Sequence, residues 1–193
     1  MKPLPSMGFI AGPDVSNEER AIARNKVDQW TRARKLLAYA QGGNRVDMAL
    51  KQFPRKMWNF KPARKNWCLG EVLWHLADHE ANVYVRLRRA VAEPGKPAIP
   101  YDQKRWASRL LYAKAPFEQA RDIIVLLNRA NAELLKRIPP SAWKAKIQHP
   151  ERGLISVEWM VGMNIWHTEH HIGQMEKRFR EWETRKRSKN KIT

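Results

Sequence analysis

Four long stretches without an internal proline, in which apolar residues recur every three or four positions, constrain this chain more than any other feature. Asn17 to Gln41 carries Ala23, Val27, Trp30, Ala33, Leu37 and Ala40 at that spacing, and Cys68 to Ala92 carries Leu69, Val72, Leu73, Leu76, Val83, Leu87 and Ala90. Phe117 to Arg137 repeats Ala120, Ile124, Leu127, Ala130 and Leu134. Ser156 to Thr184 repeats Met160, Met163, Trp166/His167, His170/His171, Met175 and Phe179. Such a period turns one face of a helix inward. No segment alternates convincingly with period two, and no internal repeat is visible. Four amphipathic helices bury their stripes against one another, which predicts a helical bundle.

Punctuation sets the expected boundaries. Gly42-Gly43 should stop the first helix, followed by a short helical turn from Val46 to Phe53. Glu93-Pro94-Gly95 should end the second helix, and Pro139-Pro140 the third. One helical turn is expected around Asp102 to Leu111, and residues 141–155 read as an irregular connector. The predicted organisation is a lead-in over 1–16, a bundle over 17–184 and a basic tail over 185–193. At 193 residues the chain suits a single core.

The one cysteine, Cys68, excludes an internal disulfide. No apolar run approaches the roughly 18 residues of a membrane span. With no apolar leader after Met1, the expected location is the cytoplasm. Thirty-seven Lys and Arg against 19 Asp and Glu leave a formal charge of +18, a field that attracts polyanions and small anions alike.

The chemistry-bearing residues gather on the second and fourth helices. His167 and His171 share the apolar face of the fourth, four residues apart, so both imidazoles point the same way. His75 lies at the edge of the second helix's stripe, and a histidine from a facing helix would complete a three-ligand site with positions open for water or substrate. His79 stands four residues after His75, and His170 beside His171. Spacing alone leaves open which three of these five histidines bind. HExxH and HxxEH are absent. A single cysteine cannot complete a deaminase zinc site, and neither a GxSxG elbow nor a Walker loop is present.

Trp67-Cys68-Leu69-Gly70-Glu71-Val72-Leu73-Trp74-His75 resembles the second-helix signature of the DinB/YfiT-like proteins, and His167-x-x-x-His171-Ile172-Gly173-Gln174 resembles their fourth-helix signature. The resemblance implies an all-α fold, a DinB-like up-down-down-up four-helix bundle with irregular connectors. It also implies one divalent ion, nickel or zinc with iron or manganese as alternatives, on His75, His167 and His171. A closer likeness is to the YfiT-type branch of metal-dependent hydrolases associated with bacillithiol S-transferase activity. That branch implies a small-molecule thiol co-substrate, an electrophilic substrate and a homodimer. Asn82, Arg86, Tyr101 and Trp106 would then line the pocket mouth, with the arginine on a carboxylate of the thiol. Asp78, Glu169 and His170 are the nearby titratable groups, as general bases or as residues that orient an imidazole. Cys68 departs from the family's usual Ser or Thr, which points to Asn66 as the substitute helix cap. The alternative from charge is a nucleic-acid-binding helical protein, its cations spread over Arg20 to Lys35, Lys51 to Lys65, Arg86 to Arg89 and Lys177 to Lys191.

Overall fold

A computed structural model describes residues 16–189, so the lead-in expected over 1–16 lies almost wholly outside the described residues. Six helices follow in order: α1 (Asn17–Asp28), α2 (Arg32–Leu50), α3 (Leu69–Ala92), α4 (Gln103–Arg109), α5 (Phe117–Arg137) and α6 (Val157–Lys189). Helix α2 packs on α5 and α6, and α3 packs on the same two, so α2 and α3 sit diagonally.

Side-chain pairs fix the directions. Lys35 meets Glu158 and Arg45 meets Glu169, so α2 and α6 run parallel. Asn131 reaches Tyr39 while Asn128 reaches Gly43, so α5 opposes α2. His75 meets His167 and Glu80 meets Asn164, so α3 opposes α6. The bundle is up-down-down-up.

Several boundaries differ from the sequence expectation. Helix α6 runs on to Lys189, into the tail expected from residue 185. The first long helix is two: Thr31 adopts extended backbone and its hydroxyl accepts the amide of Arg34, starting α2 afresh. Helix α1 has its own capping box between Ser16 and Glu19. Gly42-Gly43 does not stop α2, which continues to Leu50. A Cβ on Gly43 would lie 3.0 Å from the Val125 Cα, so these glycines let α5 approach closely, and that packing outweighs their helix propensity of about 1 kcal/mol. The connector 141–155 holds a small antiparallel hairpin, β1 (Lys146–His149) and β2 (Gly153–Ser156). Its buried pair Ile147 and Ile155 alternates with exposed neighbours over only four residues, too few to register as a period. The amides of Ala98 and Gln148 bond across to Gln148 and Lys96, which ties the α3–α4 connector to the hairpin.

Helix α3 starts at Cys68 itself. The Glu71 carboxylate accepts the Cys68 amide at 2.8 Å and also holds Lys61, so Asn66 is not the cap. Burial pushes the Cys68 thiol up, and its sulfur is packed in the core.

The core falls into two apolar clusters. One contains Val83, Leu87, Trp143, Ile147, Ile155 and Met160; the other contains Phe53, Trp58, Leu69, Leu73, Ile172 and Met175. Between them, at mid-bundle, lies a polar layer. Glu80, 2% exposed, accepts from Asn164 Nδ2 at 2.9 Å and from the Tyr39 hydroxyl at 3.2 Å. Buried polar groups persist when bonded in this way. The histidines adjoin this layer.

Candidate metal centre

Helices α3 and α6 bring three imidazoles together. His75 Nε2 lies 3.2 Å from His167 Nε2, which lies 3.1 Å from His171 Nε2. All three rings are buried, and one nitrogen from each falls within 4.8 Å of the others. Among the described residues no other group of histidine, cysteine or acidic side chains converges in this way.

Local structure explains the convergence. His167 and His171 are one turn apart on α6, with ring centroids 4.5 Å apart and edge to face. His75 enters from α3, with Trp67 packed 5.2 Å behind it. Arg178, one helical turn past Gln174, donates to the Trp67 carbonyl at 3.1 Å and so fixes that indole's backbone. The Gln174 amide oxygen accepts from His171 Nδ1 at 2.8 Å, placing the proton on Nδ1 and leaving the Nε2 lone pair free.

Electrostatics keeps the cluster neutral. Burial pushes His75 down to about 4, and burial, then its neighbouring imidazoles, drive His167 and His171 well below the ordinary histidine value. Neutral imidazole is the form that ligates metal. Three lone-pair nitrogens at 3.1 and 3.2 Å cannot all satisfy one another by hydrogen bonds, whereas one cation satisfies all three. With metal–nitrogen bonds of about 2.1 Å, ligands at right angles stand about 3.0 Å apart and tetrahedral ones about 3.4 Å. The two spacings to His167 lie between, and the third pair falls within 4.8 Å. The residues fit a divalent ion.

His79 belongs elsewhere. Its ring stacks on His167 at 3.9 Å but contributes no nitrogen to the three-way cluster. Burial pushes it down to about 3.

A family model described as the DinB superfamily matches residues 38–175. This chain belongs to the DinB superfamily. A relative from Oceanobacillus iheyensis is 34% identical over 109 residues, and the match covers 56% of this chain and 63% of that one. Another from Bacillus mycoides is 25% identical over 154 residues, covering 80% and 86%. Both carry the provisional name metal-dependent hydrolase. Among solved structures, YfiT from Bacillus subtilis, described as a probable metal-dependent hydrolase with an unusual four-helix bundle topology, superposes with a TM-score of 0.71. It is 20% identical, with 91% of this chain and 95% of that one aligned. This likeness shows the four-helix bundle fold.

The remaining candidate residues separate into groups. Arg86 and Tyr101 line a pocket of about 130 Å³ that reaches His79 and His167. Asn82 and Trp106 line an adjoining groove, which Arg86 and Tyr101 share. Asn82 donates to the Asp78 carbonyl, and Trp106 packs on Tyr101 at 4.8 Å. His170 stacks on Trp166 and meets the His171 ring edge-on at 5.0 Å. Asp78 accepts from the Tyr112 hydroxyl, and burial raises its carboxyl above the usual range. Glu169 is clamped by Arg45, whose Nε and Nη2 lie 2.5 and 2.6 Å from its two oxygens. Neither carboxylate bonds to a member of the histidine cluster.

Sequence reasoning missed the far wall of the pocket: His149, Glu151 and Arg152 of the hairpin, and Trp159 of α6. The only available signal was the Lys146-Ile147-Gln148-His149 alternation. No described helix is long and apolar enough to cross a membrane.

Proposed function

We propose that this DinB protein is a metal-dependent enzyme in which His75, His167 and His171 hold one divalent ion, nickel or zinc, and that it acts on a small molecule as a hydrolase or thiol S-transferase. The convergence of three buried, neutral imidazole nitrogens carries this reading. When bound, such an ion acidifies a coordinated water or thiol and leaves it nucleophilic near neutral pH. The chain's own groups do the rest. Gln174 holds the His171 ring and its proton. Trp67 and the apolar clusters on either side exclude water from the rings. Arg86 and Tyr101 face the reactant in the pocket. His170, in edge contact with His171, is the titratable side chain best placed to hold a proton beside the centre. Asp78 and Glu169, held by Tyr112 and Arg45, act as positioning residues that fix α3 and α6.

Metal analysis of the purified protein beside His171→Ala and His79→Ala tests this. Stoichiometric metal in the wild type and in His79→Ala, with loss in His171→Ala, is the expected result. Equal loss in both variants would overturn the ligand set. Screening ester and amide hydrolysis against transfer of several small thiols then separates the two reactions.

One observation favours a second activity, binding to nucleic acid. The loop from Lys51 to Trp67 carries six Lys or Arg and no acid, and it packs against the cationic end of α6. Phe53 meets Phe179 at 5.5 Å, and Arg185 donates to the Pro62 carbonyl. Lys56, Arg64, Lys65, Arg180, Lys186 and Arg187 thereby share one exposed end of the bundle, a suitable surface for phosphates.

A further inference from the structure

The pocket beside the histidines carries a second chemistry that metal binding does not use. Arg86 from α3 and Arg152 from the hairpin turn both line it. A third guanidinium, that of Arg24 on α1, lies 4.3 Å over the Trp159 ring, and Arg152 lies 5.6 Å from the same ring. Trp159 is itself part of the lining. Arg24 lies on α1, outside residues 38–175 that the family model matches.

The cations outnumber their counter-charges. Glu151 is the only carboxylate in the lining, and among the described residues no salt bridge joins it to Arg86 or Arg152. Burial makes Arg86 and Arg24 hold their protons less firmly than usual; Glu151 opposes this at Arg86 and Asp28 at Arg24, and the charge of Arg152 adds to it at both.

Unsatisfied polar atoms gather at the same place. Arg86 Nε, Tyr101 OH, His79 Nε2 and His167 Nδ1 are each buried without a hydrogen-bond partner among the described residues, and all four residues line this pocket. Folded proteins pair roughly nine in ten such groups. Four orphans on one lining mark a place that a bound molecule completes. The guanidinium N–H and the phenol O–H are donors, and burial raises the phenol to about 12, so it keeps its proton. Arg86 Nη2 donates to the Ile99 carbonyl at 2.9 Å, but no salt bridge among the described residues neutralises its charge. Donors beside such guanidinium groups match an acceptor that bears negative charge. Val83, Ile155, Met160 and Met163 supply apolar lining between these donors and His167.

We propose that this pocket binds a small organic anion, with a carboxylate or phosphate on Arg86, Arg152 and Tyr101 and an apolar stem lying against Met160 and Met163 on the way to the histidines. The proposal rests on the histidines being the reaction centre, yet the anion's own binding does not require the ion.

Isothermal titration of the full chain with hexanoate, hexyl phosphate and the neutral hexanamide tests it, on metal-loaded and chelator-treated protein. At least one anion should bind about tenfold more tightly than the amide, as expected of a hydrogen bond to a charged group. Arg152→Gln should erase that preference and Arg152→Lys should keep part of it. Arg152 is exposed on a turn, so thermal unfolding of both variants should match wild type. Equal affinity for anion and amide, no binding by either anion, or an unchanged preference in Arg152→Gln would each overturn the proposal. A preference that survives chelation while His171→Ala keeps its metal would refute the metal reading and leave the anion site standing.

Discussion

Gln174→Ala should weaken metal binding without touching a ligand. The Gln174 amide oxygen accepts a hydrogen bond from His171 Nδ1 at 2.8 Å, in a part-buried setting, and that bond keeps the His171 Nε2 lone pair aimed at His167. Without it the imidazole gains rotational freedom, and its proton can move to Nε2, where it occupies the coordinating lone pair. Partners of this kind are worth about 10–100-fold in metal affinity, or about 1.4–2.7 kcal/mol. Part of the loss of a buried bond falls equally on the metal-free and metal-bound protein and cancels, so the lower half of that range is expected. Gln174→Glu offers a stronger acceptor at the same place and should match or exceed wild type. Competition against a chromophoric chelator, followed by absorbance, measures the affinity, and thermal unfolding of the metal-free proteins checks that the fold is intact. Gln174→Ala binding within about twofold of wild type, while His171→Ala loses the ion, would refute the argument that this bond orients the ligand.

Three further outcomes are expected. Burial raises the Glu80 carboxyl above its ordinary 4.5. The folded chain therefore holds a proton that the unfolded chain releases, and stability falls as pH rises from about 4.5 toward the folded value. Glu80→Gln removes that slope, so in urea unfolding its stability relative to wild type should improve as pH rises above about 4.5 and level off beyond the folded value; parallel curves would count against a raised Glu80. A Cβ on Gly70 would lie 2.0 Å from the Phe117 ring. Gly70→Ala should thus cost about 1–3 kcal/mol by overpacking, with most of the loss recovered in Gly70→Ala/Phe117→Leu, as read from denaturation midpoints. If the cationic end binds duplex DNA, neutralising Arg180, Lys186 and Arg187 together should lower the log–log salt slope by about 2.7, at about 0.9 per phosphate contact; an unchanged slope in a filter-binding titration would place the contacts elsewhere.

The bundle was legible because its signal is redundant. Each of α3, α5 and α6 repeats an apolar residue over about four turns or more, and the ends of α5 at Phe117 and Arg137 fall beside Pro116 and Pro139. Gly42-Gly43 misled for a physical reason. Glycine ends a helix when nothing else rewards continuing it, and here the reward is contact with Val125 and Asn128, some 80 residues away. The break at Thr31 was equally concealed, since the apolar stripe runs through it and only the cap geometry reveals it.

The site divides along the same line. Two of its nitrogens are four residues apart on one helix, so periodicity alone aligns them. The third was ambiguous, because His75 and His79 occupy consecutive turns and both lie inward. What separates them is the rotation of α3 about its axis, fixed by distant contacts such as Glu80 with Asn164 and Gly70 against Phe117. That rotation puts His75 Nε2 on His167 Nε2 and leaves His79 stacked behind the same ring. The pocket wall lay further out of reach. Arg152 and His149 act through a four-residue hairpin whose position depends on bonds to Lys96 and Ala98, and no local pattern encodes that docking. Arg24 reaches Trp159 only because the chain breaks at Thr31 and α1 folds back onto α6. Ligand atoms held by one helix period can be read from spacing, whereas a pocket walled by two helices, the α3–α4 connector and a hairpin can be read only from the fold.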